Sequence, residues 1–138
     1  MRILAFDIGG TFIKYAICDE NFNLTDKNKV PTDAKKGGQA IIEKIIDIIL
    51  SYDNIDRVAI STAGQVDSEN GIVVYSTDNI PYYTGMMVKK LIENKTKIPT
   101  FVENDVNASP RAAALTSFST NVGIFVLFSI SFFTIIPV

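Results

Sequence analysis

The sequence predicts an α/β domain, a β-sheet with helices packed on it. Short apolar runs occur together with two amphipathic helical patterns, which is typical of a sheet covered by helices. The first two runs, Arg2–Phe6 and Phe12–Cys18, are separated by only five residues and predict a strand-turn-strand unit. A chain of 138 residues, of which 47% are hydrophobic, is long enough to bury one such core.

Further elements follow in chain order. Isoleucines recur at helical spacing after Gly37-Gly38 and predict an amphipathic helix that packs on the sheet. These isoleucines are Ile41, Ile42, Ile45, Ile46 and Ile49. A second helix is predicted over Thr84–Lys95. Three more strands are predicted over Arg57–Ser61, Ile72–Tyr75 and Thr100–Val102. Turns are predicted at Ala63-Gly64 and Asn70-Gly71. The lysine-rich stretch Lys27–Lys36 is predicted as a solvated face.

The composition argues against several classes of function. Thirteen basic residues against fifteen acidic ones leave a near-neutral surface, without the positive field that a nucleic-acid-binding protein uses. A single cysteine, Cys18, and the lack of histidine exclude an intrachain disulfide and a cysteine-rich zinc site. The chemistry is therefore expected to depend on carboxylates and bound cofactors. The N-terminus does not have the basic-then-apolar layout of a secretory signal, so a cytoplasmic protein is expected.

The segment Asp7-Ile8-Gly9-Gly10-Thr11 predicts a phosphate-binding loop. Two glycines after a strand let the backbone approach a phosphate, and Thr11 adds a hydroxyl donor. Asp7 strengthens the interpretation, because a carboxylate at the end of an apolar strand is costly unless it meets donors or a cation such as magnesium. The loop is neither a Walker A motif nor a dinucleotide fingerprint, because no lysine follows in frame and a strand comes next. The alternative is a tight turn whose glycines serve geometry only.

Four collinear segments carry a resemblance to a known family: Asp7–Lys14, Ile60–Asp67, Asn79-Ile80-Pro81 and Val102–Ala108. They resemble, in this order, the first phosphate motif, the sugar-side strand and turn, the next turn and the catalytic motif of the ROK family (repressors, open reading frames and kinases). This family contains bacterial sugar kinases within the hexokinase and actin superfamily. The resemblance covers residues 1–108 and implies a ribonuclease H-like (actin-like ATPase) α/β domain, with a mixed sheet and flanking helices.

The resemblance also implies roles for single residues. Asp105 would be the catalytic base that accepts the proton of the attacking sugar hydroxyl. Sugar binding would fall to Asn104, Gly64 and Asn79. The phosphates of ATP would be bound by Asp7, Gly9, Gly10, Thr11 and Lys14. Asp7 would also hold Mg²⁺, directly or through water. Taken alone, Asn104-Asp105 also fits a helix N-cap, and Lys14 also fits a solvated strand residue.

The implied function is ATP-dependent phosphorylation of a hexose or hexose derivative in a glucokinase-like reaction. The partners would be a small-molecule sugar and ATP. Family members often form homodimers, so a homodimer is a possible assembly of the full-length form. Which sugar is used stays open, because similar motifs handle several hexoses and their derivatives. A sugar-responsive transcriptional repressor is the alternative within the family. Those proteins usually carry a winged-helix domain before the kinase-like core, whereas Met1 immediately precedes the first strand here.

Residues 109–138 are predicted to be a separate, atypical apolar tail. No residue from Val122 to Val138 is charged. The run Phe125–Ile130 resembles the strand that leads to the family's second phosphate loop, but Ser131–Thr134 stands where that loop has glycines. We therefore expect an altered, truncated or frame-shifted start of a second domain, and a chain that is weakly active, or a non-catalytic fragment, on its own. A membrane anchor is not expected, because a spanning helix needs about 20 apolar residues.

Overall fold

The fold is built on a mixed sheet with two helices on one face. A computed structural model describes residues 1–19, 21 and 23–104. In chain order the elements are β1 (Ile3–Ile8), β2 (Phe12–Cys18), β3 (Leu24–Pro31), α1 (Gly38–Leu50), β4 (Arg57–Thr62), β5 (Gln65–Asp67), β6 (Ile72–Tyr75), α2 (Val88–Thr96) and β7 (Thr100–Asn104). A short 3-10 turn over Ala34–Lys36 precedes α1.

The strand order of the main sheet is β3-β2-β1-β4-β7, and β5 and β6 form a separate two-stranded sheet. β1 pairs with β2, and β2 with β3, in antiparallel fashion, whereas β1 with β4 and β4 with β7 are parallel. A short loop is enough for the antiparallel pair β1–β2, while parallel neighbours need crossover connections, which here contain α1 and α2. The sheet is therefore mixed, as the sequence predicts.

The core lies between one face of this sheet and the two helices. Its fully buried large side chains alternate along the strands and repeat at helical spacing along the helices. They include Leu4, Phe6, Ile8, Ile13, Val58, Ile60, Ile41, Ile42, Ile45, Ile49, Val88 and Ile92. The isoleucine pattern is confirmed, since four of its five members are buried and Ile46 packs partly buried against the core.

The second face of the sheet carries small side chains at its centre. Because side chains alternate along a strand, the residues between the core positions of β1 belong to this face. Ala5 on β1 is paired directly with Ala16 on β2 and with Ala59 on β4. All three alanines are buried.

Three strands extend beyond their predicted ends. β1 ends at Ile8 rather than Phe6, β4 at Thr62 rather than Ser61, and β7 at Asn104 rather than Val102. Asp7 therefore lies inside a strand and not in the loop after it. The sequence misplaces these ends because it marks a strand by its apolar residues, whereas the hydrogen-bonded ladder continues through polar ones.

The second helix is shorter than its apolar pattern predicts. It spans Val88–Thr96 instead of Thr84–Lys95. Gly85 has a φ of +84°, and its N–H donates to the Val73 carbonyl at 2.6 Å. The residues before Val88 are thus tied to the β5–β6 sheet and are unavailable for a helical turn.

The strand β3 is missing from the sequence prediction, which treats Lys27–Lys36 as a solvated face. β3 is an edge strand, and all eight of its residues are only partly buried or exposed. Lysines on an edge strand discourage pairing with other chains, but they also give the strand the composition of a surface loop. The sequence prediction is therefore wrong about the strand, although the exposed Lys29, Lys35 and Lys36 agree with its solvated character.

The predicted tail 109–138 and the candidate base Asp105 lie outside the described residues. The apolar run Val122–Val138 is part of that tail. In the ranges that the structure describes, none of the helices has the length and apolar character needed to cross a membrane.

Candidate active site

Three parallel strands end together at one edge of the sheet. The last residues of β1, β4 and β7 are Ile8, Thr62 and Asn104, and they are paired in register. The glycine loop leaves β1 at this edge, and the Ala63-Gly64 turn leaves β4 beside it. Ligands of open α/β sheets bind at the carboxyl ends of parallel strands. The structure thus brings the first and second sequence motifs, and the described part of the fourth, to a common edge.

The register divides the polar side chains of this edge between the two faces of the sheet. Directly paired residues point to the same face. One row across β2, β1, β4 and β7 consists of Lys14, Asp7, Ser61 and Glu103. The next row consists of Ile13, Ile8, Thr62 and Asn104, and it belongs to the helix-covered face. The phosphate candidates Asp7 and Lys14 therefore share one face, while the sugar candidate Asn104 belongs to the other.

The glycine loop is held in place by Thr32, a residue that sequence reasoning missed. The Thr32 hydroxyl donates to the Gly9 carbonyl at 2.8 Å, and the Thr32 N–H donates to the Thr11 carbonyl at 2.9 Å. The Gly9 N–H donates to the Phe12 carbonyl at 3.0 Å, so this amide is used within the turn. Gly10 and Thr11 are exposed, and a Cβ placed on Gly10 would meet no atom within 4 Å. This side of the loop is open to a phosphate.

Lys14 and Asp7 lie directly opposite each other on β2 and β1. Lys14 is only 8% exposed, so the alternative of a solvated strand residue is wrong. Asp7 is half-buried, and both residues make interactions in the structure. Two opposite charges that face each other on neighbouring strands attract, and this attraction offsets part of the free energy needed to remove both from water.

Asp7 and the open loop fit a magnesium ion that arrives with phosphates. Mg²⁺ is usually held by one or two carboxylates together with substrate phosphates and water, not by a cage of protein ligands. Among the residues that the structure describes, no three acidic, histidine or cysteine side chains cluster as such a cage. Asp7 would be the protein ligand, and the open space at Gly10 leaves room for the phosphates.

The backbone conformation and the packing of the turn after β4 require a glycine at position 64. Gly64 has a φ of +100°, and a Cβ there would lie 2.6 Å from the Tyr75 carbonyl oxygen. Any other residue would be strained and would displace β6. The positive φ and the close contact with β6 are therefore sufficient to explain the glycine at this position. A role of Gly64 in sugar binding stays a prediction.

A buried hydrogen bond ties the third motif to the end of β4. The hydroxyls of Thr62 and Tyr83 lie 2.8 Å apart, and Tyr83 is fully buried. The Gly38 N–H donates to the Pro81 carbonyl at 2.9 Å, and a Cβ on Gly38 would lie 2.8 Å from the Tyr83 ring. The loop is thus anchored to both the sheet and the start of α1. Asn79 is exposed on this loop, and its contact with a sugar stays a prediction.

Asn104 is the last residue of the fourth motif that the structure describes. It is half-buried at the end of β7, and its N–H donates to the Glu103 carboxylate at 2.9 Å. Glu103 therefore fixes the backbone immediately before Asp105. Asp105 itself, and with it the N-cap alternative, lies outside the described residues.

Comparison with known proteins identifies the family. The model of the ROK family matches residues 3–132. The chain belongs to the ROK family. It is 48% identical over 106 residues to an uncharacterised protein of Clostridium perfringens, covering 75% of this chain and 36% of that protein. It is 34% identical over 113 residues to an N-acetylmannosamine kinase of Vibrio cholerae, covering 79% of this chain and 38% of the kinase.

A solved ROK structure has the same fold. A ROK family glucokinase from Streptomyces griseus, in complex with glucose and AMPPNP, matches with a TM-score of 0.69 and 25% identity, covering 89% of this chain and 38% of the glucokinase. The predicted ribonuclease H-like, actin-like ATPase fold is confirmed. This ROK chain spans 36% to 38% of the length of these three relatives.

The first prediction concerns the Tyr83 hydroxyl. We expect Tyr83→Phe to lower the free energy of unfolding by about 1 kcal/mol, because it leaves the buried Thr62 hydroxyl without this partner. Tyr82→Phe is the matched control, since Tyr82 is 90% exposed and the change is expected to stay within about 0.5 kcal/mol. Urea unfolding of the three proteins measures both effects. Equal stability of Tyr83→Phe and the wild type would contradict the anchoring role of the hydrogen bond.

The second prediction concerns alkaline pH. Burial raises the pKa of Tyr83 from 10.0 to about 12, and the hydrogen bond with Thr62 partly offsets this effect. Above pH 10 the unfolded chain loses this proton while the folded chain keeps it, so stability falls as the pH rises from 10 to 12. The slope from one proton is about 1.4 kcal/mol per pH unit at most.

We expect Tyr83→Phe to lose stability less steeply than the wild type over this range, as measured by urea unfolding at several pH values. Other groups titrate in both proteins, so their contributions cancel in the comparison. Parallel curves for the two proteins would show that Tyr83 ionises normally.

Proposed function

We propose that this ROK-family chain takes part in the ATP-dependent phosphorylation of a hexose or hexose derivative. The observation that carries the proposal is the common edge, where the loop after β1 and the end of β7 flank β4. The known activities of the Vibrio cholerae relative and the ligands of the Streptomyces griseus glucokinase support the same class of reaction. Glucose and N-acetylmannosamine are the first candidate sugars.

The sugar is proposed to bind on the side of the edge that carries Asn104. An amide offers both donors and an acceptor, which suits a sugar hydroxyl that needs both. Asn104 ends β7 beside Thr62, and Thr62 holds Tyr83 of the loop that carries Asn79. This chain of contacts supports a pocket formed by Asn104, the Gly64 turn and the Asn79 loop.

The ATP phosphates are proposed to bind on the glycine loop. The exposed residues Gly10 and Thr11 offer backbone and hydroxyl donors, and Thr32 holds the loop from behind. Asp7 would hold magnesium, which when bound neutralises phosphate charge. Lys14, in register with Asp7, adds positive charge near the same phosphates. Phosphoryl transfer depends mainly on such positioning and charge neutralisation.

Asp105 is proposed as the catalytic base, since it follows Asn104 directly in the chain. Its carboxylate accepts the proton of the sugar hydroxyl as the hydroxyl oxygen bonds to the γ-phosphorus. The bond from the γ-phosphorus to the bridging oxygen breaks, and ADP leaves with that electron pair. The products are a sugar phosphate and ADP, and the proton remains on Asp105 until solvent removes it.

Residues 1–108 are proposed as the domain that supplies these groups. The relatives are longer than the part this chain matches, so we propose that further ATP-binding groups come from outside this domain. The chain alone is then expected to bind a sugar but to transfer phosphate slowly.

The third prediction tests this function with the 138-residue chain. Hexoses that include glucose and N-acetylmannosamine are titrated by calorimetry, and ADP formation with Mg-ATP is followed for each sugar. We expect saturable binding of at least one sugar and slow ADP formation that depends on it. Asp105→Asn is expected to keep sugar binding and to lower turnover by about 100-fold or more, because the proton acceptor is lost.

Asp53→Asn is the matched control, because it makes the same chemical change on an exposed bend before the start of β4, whereas the candidate site lies at the end of that strand. Its turnover is expected to equal that of the wild type. A folded chain without saturable binding of any sugar would contradict the proposed function. Unchanged turnover in Asp105→Asn would contradict the assignment of the base.

A further inference from the structure

Ser61 lies in the polar row that crosses the sheet one residue before the ligand-binding edge. Its neighbours in register are Asp7 on β1 and Glu103 on β7. Neighbouring strands lie about 4.8 Å apart, so the serine stands one strand spacing from each of the two half-buried acidic residues. The glycine loop begins two residues after Asp7. Ser61 therefore belongs to the phosphate side of the edge by position.

The Ser61 hydroxyl is buried without a hydrogen-bond partner. The residue is 0% exposed, and its oxygen makes no hydrogen bond in the part of the chain that the structure describes. The adjacent Thr62 is equally buried, but its hydroxyl pairs with Tyr83. A buried hydroxyl without a partner opposes folding. Such a group in a native protein calls for an explanation, and a role in the site is one of them.

Packing does not require a hydroxyl at this position. Two residues earlier on the same strand and face stands Ala59, which is paired with Ala5 and buried. An alanine at position 61 would continue this pattern, fill nearly the same space and remove the unpaired hydroxyl. Packing alone therefore does not explain the serine.

We propose that Ser61 is a positioning residue that orients the Asp7 carboxylate when this carboxylate holds magnesium. The inference rests on the proposed function. A carboxylate that binds a metal through one oxygen usually also accepts a hydrogen bond from a neighbouring residue. The Ser61 hydroxyl donates to Asp7 in the loaded state, which satisfies the hydroxyl and fixes the carboxylate. In the free protein the two residues have not formed this bond.

The test is Ser61→Ala, with Ser68→Ala on an exposed turn as the matched control. Thermal unfolding of the free protein comes first, and we expect the melting temperature of Ser61→Ala to equal or exceed that of the wild type. ATP binding is then measured by calorimetry with Mg²⁺ and with EDTA. We expect Ser61→Ala to weaken Mg-ATP binding by about tenfold or more and to leave binding in EDTA unchanged. Ser68→Ala is expected to change neither.

A double-mutant cycle shows whether Ser61 acts through Asp7. In an Asp7→Asn background, Ser61→Ala is expected to cause no further loss of Mg-ATP affinity. Equal losses in both backgrounds would contradict the mechanism. A marked fall in the melting temperature of Ser61→Ala would contradict it as well, because the hydroxyl would then have a partner in the free protein.

The remaining outcomes separate this inference from the proposed function. A wild-type chain that binds neither a sugar nor Mg-ATP would overturn both, and one that binds a sugar but no Mg-ATP would overturn only the inference. A wild type that binds Mg-ATP, with Ser61→Ala binding it equally well, would overturn only the inference. Weaker sugar binding by Ser61→Ala with unchanged Mg-ATP binding would assign the hydroxyl to the sugar and would also overturn the inference.

Discussion

The parallel pairing of β1 with β4 and of β4 with β7 is the constraint on which the candidate site depends. It brings the ends of three strands that are distant in sequence to one edge, with Ile8, Thr62 and Asn104 in register. A shift of one residue in either pairing would exchange the faces of the polar and apolar rows. The buried core on one face fixes this register, so the isoleucines of α1 also fix the place of Asp7.

The loops at this edge are held by specific hydrogen bonds from elements behind them. Thr32 bonds the carbonyls of Gly9 and Thr11, and Tyr83 bonds Thr62. These contacts fix the glycine loop from the β3 side and the Asn79 loop from the sheet side. The site is therefore organised before a ligand arrives, which lowers the entropy lost on binding. The Ser61 hydroxyl stands apart, since it is buried and its partner is proposed to form only on loading.

Much of the fold and the main site motifs could be predicted because their signals are local. A glycine pair after an apolar run marks the loop at Gly9, and spaced isoleucines mark α1. The contributions of Thr32 and Tyr83 could not be predicted, because each depends on a partner about twenty residues away that only the folded chain brings near. The edge strand β3 was missed for a related reason, since its lysines resemble those of a solvated loop.

Amide chemical shifts of the ¹⁵N-labelled chain during titration with Mg-ATP test the central claim most directly, because the method detects weak binding residue by residue. The account predicts that the signals of Gly10 and Thr11 shift most, while the Gly9 amide, already bonded within the turn, shifts less. The shallow groove between β3 and α1, which Val30 and Lys44 help to line, offers an alternative surface. Shifts confined to that groove, with Gly10 and Thr11 unchanged, would contradict the account.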